Sequence, residues 1–209
     1  MAKYVGPVCR ICRREKTKLF LKGTKCLMSK CPVEKGRKPP GMQSRRRRKV
    51  SEYGMQLREK QKLKRIFGIL EKQFSRYFEQ AEQEPGVTGD HLLRILETRL
   101  DNVVFALGFT FSLQNARQFV RHGHVLVNGR RVDYPGYQVK TGDVMEVRDR
   151  GHSRQRAAEA LEGSRGREVP GWLKLDKNRF RGEALSLPKP GEIKIPVDVA
   201  QVVALYTRQ

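Results

Sequence analysis

The four cysteines are the feature that most constrains what this chain can fold into. All four lie within 23 residues near the N-terminus, with the spacing Cys-x2-Cys-x13-Cys-x4-Cys, and they are Cys9, Cys12, Cys26 and Cys31. The surrounding segment is poor in apolar residues and contains the turn-forming triplet Pro-Pro-Gly, so we predict irregular structure that needs more than a hydrophobic core to fold. Three chemistries are open for such a cluster: a disulfide framework, a metal site or a redox pair.

The cysteine spacing favours a structural metal site. A Cys-x2-Cys turn directs two sulfur atoms at one centre, and a second close pair completes the tetrahedron that Zn²⁺ prefers. Because the sequence has neither a secretory signal nor a membrane-spanning apolar run, we expect a cytosolic protein, in which disulfides are disfavoured. We therefore predict one structural Zn²⁺ on the four cysteines, with an iron–sulfur cluster and redox-active thiols as alternatives.

Lysines and arginines stand beside the cysteines. They are expected to offset the negative charge of a metal–thiolate centre and to favour the thiolate form of the ligands. These neighbours are Arg10, Arg13, Arg14, Lys25 and Lys30.

The positive charge of the chain is concentrated at its N-terminal end. Of the net charge of +22, residues 1–65 carry +18 and residues 66–209 carry +4. A polyanion is the natural partner, since each neutralised phosphate releases condensed counterions; the alternatives are a solvated arm and an anionic membrane, although no amphipathic anchor accompanies the charge. In this N-terminal segment, the residues predicted to bind nucleic acid are Arg10, Arg13, Arg14, Arg45, Arg46, Arg47, Arg48, Lys49, Arg58, Lys62 and Arg65.

Apolar periodicity predicts helices over the middle of the chain. Ser51 is a candidate N-cap for a first helix, and an aromatic stripe predicts a second over residues 70–83. Leucines and valines at helical spacing predict one helix over 92–107, ended by Gly108. Ser112 begins a shorter helix that closes at a glycine. Further helices are predicted over residues 152–163 and 198–206.

After the fourth helix the apolar period changes to that of strands. Val125–Val127 and Val144–Val147 are short β-branched runs, and Asn128-Gly129 is a strong signal for a two-residue hairpin. The predicted fold class is α+β: an irregular zinc module, a helical domain, and a central module of short helices with a small, mostly antiparallel sheet.

Residues 96–149, "LETRLDNVVFALGF…NGRRVDYPGYQVKTGDVMEVRD", resemble a widespread RNA-binding module of two short helices and a small twisted sheet. The flanks "YVGPVCRICRRE", "LREKQKLKRIFGI" and "PVDVAQVVALY" resemble the family of bacterial small-ribosomal-subunit protein four, in its form with four zinc-ligand cysteines. We accordingly divide the chain into a basic zinc module (1–45), a helical domain (46–98) joined by the C-terminal helix (198–209), the RNA-binding module (99–162) and a loop-rich β extension (163–197).

The resemblance implies a binding function without catalysis. It implies a primary binder of 16S rRNA, in the 5′ domain, that nucleates assembly of the body of the small subunit. It also implies an interface with small-subunit protein five, a contribution to translational accuracy, and a position near the channel through which mRNA enters.

In the RNA-binding module, a basic ridge is expected to fit the phosphates of folded RNA by shape. The alternative for each arginine is a solvated position or a salt bridge. The residues predicted to form the ridge are Arg117, Arg121, His122, Asn128, Arg130 and Arg131.

Two other classes of protein share this module. In pseudouridine synthases and tyrosyl-tRNA synthetases it delivers RNA to a catalytic domain, but the remainder of this chain is too short for either and has no nucleotide-binding glycine loop. The second class comprises non-ribosomal RNA-binding proteins, such as stress factors or rRNA-modification factors. The cysteine segment and the matching termini argue against it.

Overall fold

The computed structural model describes residues 4, 6–41, 50–163, 168–193 and 195–207. The chain divides into two compact units: Met1–His91 with Ile195–Gln209, and Leu92–Lys194. The predicted basic run Arg45–Lys49 lies outside the described residues.

The helices are α1 (Cys9–Glu15), α2 (Glu52–Ile66), α3 (Glu71–Gln83), α4 (Thr88–Glu97), α5 (Leu100–Ala106), α6 (Leu113–Arg121), α7 (Gly151–Gly163) and α8 (Val199–Thr207). The strands are β1 (Val125–Val127), β2 (Arg130–Arg131), β3 (Val144–Val147), β4 (Leu173–Asp176) and β5 (Arg181–Ala184).

The first unit is built around α2, α3 and α8. The Ser51 side chain accepts a hydrogen bond from the Gly54 N–H and so caps α2, as the sequence predicts. The aromatic stripe of α3 is buried, and the ring of Phe78 stacks on that of Tyr206 with centroids 4.2 Å apart. The Asp198 N–H donates to the Glu59 carboxylate of α2, which fixes the start of α8.

The cysteine-rich segment has a small apolar core of its own. Val8, Cys12, Leu19 and Leu21 are buried together, with Ile66 of α2 packed against them. The expectation that this segment lacks a core is therefore corrected: it has one, but it is small and one of its members is a thiol.

The second unit contains a break between α4 and α5 that the sequence analysis missed. The single helix predicted over 92–107 is wrong, because α4 and α5 are separate helices. Arg99 between them is extended (φ −63°, ψ 137°) and forms a β-bridge with Gln138. The Leu100 N–H also donates to the Tyr137 carbonyl at 2.8 Å. These backbone bonds to a distant loop are not available to a continuous helix.

A five-stranded sheet with the order β2-β1-β3-β5-β4 packs behind α5 and α6, and each strand pairing in the part described is antiparallel. The predicted hairpin joins β1 to β2, with Asn128 and Gly129 at φ 49° and 76°, the left-handed pair that a two-residue turn requires. Strands β4 and β5 extend the same sheet through β3. The predicted extension over 163–197 therefore contributes to this sheet instead of forming a separate region.

Candidate nucleic-acid interface

Helix α1 presents three of the predicted RNA-binding arginines. Arg10 and Arg14 are exposed to solvent. Arg13 is half-buried, and its Nη1 atom donates to the Lys38 carbonyl at 2.9 Å, so it holds the returning loop. The geometry thus separates two surface cations from one that is engaged within the protein.

The predicted residues on α2 are more deeply engaged. Arg58 Nη1 lies 3.4 Å from Oε1 of the buried Glu15, which ties α2 to α1. Lys62 forms an ion pair with Glu59 one turn earlier. The Arg65 guanidinium lies over the ring of Tyr4, 5.3 Å from its centroid. Each of these cations has a protein partner in addition to any nucleic acid it binds.

In the second unit, four predicted residues are exposed at the C-terminus of α6 and on the edge strand β2. Arg121 and His122 at the end of α6 and Arg130 and Arg131 on β2 are all exposed. The Arg131 guanidinium lies so close to Gly123 that a β-carbon there would collide with it, and Gly123 has φ +72°. We call Arg121, His122, Arg130 and Arg131 the cationic ridge.

Two predicted residues of this module belong to the internal structure instead. Arg117 donates from Nε and Nη2 to Oδ2 of the fully buried Asp101, at 2.9 and 2.7 Å. Asn128 donates to Asp143 at 2.8 Å and accepts from the Val144 N–H at 2.9 Å, which shapes the turn. Their predicted RNA contacts stay predictions, but both side chains also bond within the protein.

A basic surface on α7 was missed by the sequence analysis. The heptapeptide "RGHSRQR", residues 150–156, brings three arginines and His152 to the N-terminal half of this helix, and these four side chains are exposed. The charge density of that heptapeptide was the available signal. Next to it, His124 bonds through Nδ1 to Ser153 at 2.9 Å. Burial, reinforced by Arg156 and other neighbouring cations, lowers the pKa of His124, so its ring is neutral at pH 7.

The cysteines are gathered in one small module, but they are not arranged as a finished metal site. Cys12 and Cys31 are buried, whereas Cys9 and Cys26 are half-buried, and all four thiols are free. Within the described residues no three Cys, His, Asp or Glu side chains stand close enough to hold a metal ion. The donor set suits Zn²⁺ in kind and number, because four thiols without other ligands match a closed structural site. The tetrahedral geometry itself is not formed.

For two of the cysteines, burial outweighs any effect of neighbouring cations on the thiol pKa. Burial raises the pKa of Cys12, and electrostatic interaction with Cys26, Cys9 and Cys31 adds to this effect. Burial also raises the pKa of Cys26, although the Lys22 N–H donates to its sulfur at 3.4 Å. These thiols therefore hold their protons more firmly than the thiol of an exposed cysteine.

Comparison with known proteins decides the family. Residues 3–97 match the profile of the ribosomal protein S4/S9 N-terminal domain, and residues 98–145 match that of the S4 domain. Small ribosomal subunit protein uS4 of Pelotomaculum thermopropionicum is 52% identical over 208 residues, covering 100% of both chains. The chain belongs to the uS4 family.

Other uS4 proteins are similar over the same length. Those of Natranaerobius thermophilus and Halothermothrix orenii are 52% and 51% identical, each with 100% of both chains covered. The boundary between the two uS4 domain matches falls between residues 97 and 98, where α4 ends. The break that separates α4 from α5 is thus the junction of the two family domains. In the described residues, no helix is long and apolar enough to cross a membrane.

Proposed function

We propose that this chain is a structural constituent of the small ribosomal subunit, in the cytoplasm, where it binds 16S rRNA. One observation carries the proposal: full-length relatives at 50–52% identity are named small ribosomal subunit protein uS4. The net charge of +22 supplies the electrostatic attraction that such a role needs. The function is binding and architecture, without a catalytic step.

The proposal extends to the place and consequence of binding. The chain binds the 5′ domain of 16S rRNA early, nucleates assembly of the subunit body and contributes to translational accuracy. Its further partners are small-subunit protein five and the mRNA, near the channel through which the mRNA enters the subunit. These finer assignments rest on family membership, and the exposed cations of both units support the RNA contacts among them.

The exposed cations give a physical account of RNA binding. Arg10 and Arg14 on α1 and the cationic ridge in the second unit are open to phosphate oxygens. The engaged cations, such as Arg58 beside Glu15 and Arg117 beside Asp101, hold the backbone that presents them. A rigid scaffold with arginines at fixed spacing recognises folded RNA by shape and phosphate position more than by base edges.

The test is a binding measurement on a transcript of the 16S 5′ domain. The control is a large-subunit rRNA fragment of equal length, measured at several salt concentrations. We expect tighter binding to the 5′-domain transcript at each concentration, and co-sedimentation of the chain with small subunits from reconstitution mixtures. Equal affinity for both RNAs, with co-sedimentation on free large subunits, would favour a non-ribosomal RNA-binding protein.

Deletion of Arg45–Lys49 tests the basic run separately. If these five residues contact phosphates, the slope of log affinity against log salt falls by about 0.7–0.9 for each lost contact. A deletion that leaves the slope unchanged would identify the run as a solvated arm.

We also propose that Cys9, Cys12, Cys26 and Cys31 hold one structural Zn²⁺. Two features of the described residues support this: the four thiols interact electrostatically with one another, and backbone N–H groups of Leu19 and Lys22 point at the sulfurs of Cys12 and Cys26. Such N–H donors commonly stabilise thiolate ligands. When bound, the ion would fold the module tightly and neutralise part of the thiolate charge.

Metal analysis of protein purified under reducing conditions tests the zinc proposal. We expect one zinc per chain, lost in a Cys12→Ser/Cys31→Ser variant. Iron with visible absorption in place of zinc would indicate an iron–sulfur cluster, and a metal-free chain with four titratable thiols would contradict any metal site.

A further inference from the structure

A cavity of about 310 Å³ opens between α6, α7 and the loop that precedes α6. It lies entirely within the second unit and beside the exposed end of α6, where two members of the cationic ridge are found. Its volume is at the lower end of the range for small-ligand sites. The function proposed above leaves this cavity without an assigned occupant.

The inner part of the cavity is aromatic. Phe119 is buried on α6 and forms part of the floor, together with the small side chain of Ala160 on α7. Phe111, in the loop before α6, is only partly buried and forms one wall. It packs so closely on Gly163 that a β-carbon there would collide with the ring, so its position is well defined. A flat apolar ligand is the kind that such a wall accepts.

The mouth of the cavity is polar and carries groups from two helices. Asn115, Gln118 and His122 recur at helical spacing along α6, and Arg156 and Glu159 face them from α7. All five side chains are exposed. The two amides offer both donors and acceptors, as the edge of a nucleobase requires, and the carboxylate adds an acceptor for base amino groups. Arg156 and His122 offer donors for a phosphate.

We propose that this cavity receives one unstacked nucleotide of the bound RNA, with its base against Phe111 and its phosphate toward Arg156 and His122. The inference rests on the proposed function and deepens it, since it names the part of the RNA that is read. Proteins that recognise RNA by sequence mostly do so at unpaired nucleotides, whose bases stack on aromatic side chains and bond along their edges. The cavity combines these elements beside a surface suited to phosphates.

The charge around the cavity also favours a nucleotide over an acidic peptide or an apolar ligand. Burial and the nearby positive charge of Arg156, His152 and Arg150 together lower the pKa of His124, which lines the cavity. An apolar ligand would contact the aromatic wall but would use none of the donors and acceptors at the mouth. An acidic peptide would form ion pairs with the cations but would not stack on the aromatic wall.

The experiment is a histidine-detected NMR titration of the full chain. The sequence has four histidines, so the ring signals of His122 and His124 can be assigned by substitution. The probes are single-stranded pentanucleotides of each base, a duplex of equal length and a glutamate pentapeptide. We expect a saturable shift of the His124 signal with at least one single-stranded probe and not with the duplex or the peptide. The His122 signal also reports phosphate binding at the cationic ridge.

Three variants sharpen the assignment. Phe111→Leu should weaken binding of the pentanucleotide about tenfold, because base stacking on the ring is lost. Arg156→Ala should lower the salt slope by about 0.7, as expected for one phosphate contact with a single strand. The matched control is Arg154→Ala, on the same helix with the same charge change, because Arg154 pairs with Asp149 and does not line the cavity. If Phe111→Leu fails to fold, the exposed Gln118→Ala replaces it, with weaker binding expected.

Two outcomes would overturn the proposal. One is the absence of any cavity signal change while the 5′-domain transcript still binds, which leaves the proposed function intact. The other is that Arg154→Ala and Arg156→Ala weaken pentanucleotide binding equally, or that the glutamate peptide shifts the histidine signals as much as the pentanucleotide does. Either result would mean that the binding is non-specific electrostatic attraction. Binding of pentanucleotides in the cavity without binding of the transcript would instead overturn the rRNA role and support the cavity as an RNA site.

Discussion

The Nη2 atom of Arg117 lies 2.7 Å from Oδ2 of Asp101, a side chain that solvent does not reach. Arg99 binds the same carboxylate through Nε and Nη2, at 3.0 and 2.8 Å. One buried aspartate thus joins the residue before α5 to the middle of α6. The helix pair that carries the exposed end of α6 depends on this buried ionic contact.

Replacing Asp101 should destabilise the second unit. Asp101→Asn leaves Arg99 and Arg117 with uncompensated charge in a buried setting, for which we expect a loss of about 3–5 kcal/mol in the free energy of unfolding. Urea denaturation followed by circular dichroism measures it. The exposed Asp133→Asn is the control and should change stability by less than about 0.5 kcal/mol. Similar losses for both variants would contradict the role given to Asp101.

Alanine variants of Arg117 and Arg121 should have different effects, the first on stability and the second on RNA binding. Both are on α6 and each alanine variant removes one charge, but Arg117 is bonded to Asp101 whereas Arg121 is exposed. We expect Arg121→Ala to lower the salt slope of rRNA binding by about 0.7–0.9 with little effect on stability. Arg117→Ala should lower the unfolding temperature and leave the slope nearly unchanged. A reversed pattern would place the phosphate contact at Arg117.

Local signals in the sequence predicted much of the fold. Ser51 and Ser112 cap their helices, and the Asn128-Gly129 turn closes its hairpin, because each depends on residues within a few positions. The break at Arg99 was missed because its cause is the bridge to Gln138, which is 39 positions away along the chain. The helical spacing of apolar residues continues across Arg99, so the spacing alone predicts one continuous helix.

The candidate site was predictable in its residue types but not in its pairings. Cations such as Arg130 are exposed, as expected for basic residues of a hairpin. The partner of Arg117 is brought to it by the packing of α5 on α6, which spacing does not reveal. Burial of the cysteine module likewise outweighs the cations that the sequence shows beside Cys12. The family itself was recognisable from motifs, and the full-length relatives confirm it.

Glu97 should make stability depend on pH. Burial raises its pKa to about 7 from the ordinary 4.5, and the hydrogen bond from Asn102 only partly opposes this. The unfolded chain releases this proton near pH 4.5 and the native chain near pH 7, so stability falls as the pH rises between these values.

The test is Glu97→Gln, whose amide oxygen can accept the same Asn102 hydrogen bond. At pH 8 we expect stabilisation on the order of 3 kcal/mol, and at pH 4 little difference from the original chain. Thermal unfolding at both pH values measures it, with the exposed Glu79→Gln as the control. Stabilisation of equal size at both pH values would mean that ionisation of Glu97 is not the cause.

Removal of metal should weaken rRNA binding if Zn²⁺ fixes the position of α1. This helix carries two of the four cysteines and the exposed Arg10 and Arg14. Loss of the ion would therefore leave these two arginines without a fixed position. We expect chelation to lower the salt slope by about 1.4–1.8, equivalent to two phosphate contacts, and zinc to restore it where magnesium does not. Arg10→Ala/Arg14→Ala should then give the same slope with and without chelator. If that double variant still responds to chelation, the ion acts on cations elsewhere in the module; if the original chain does not respond, the small apolar core around Cys12 is sufficient to hold α1.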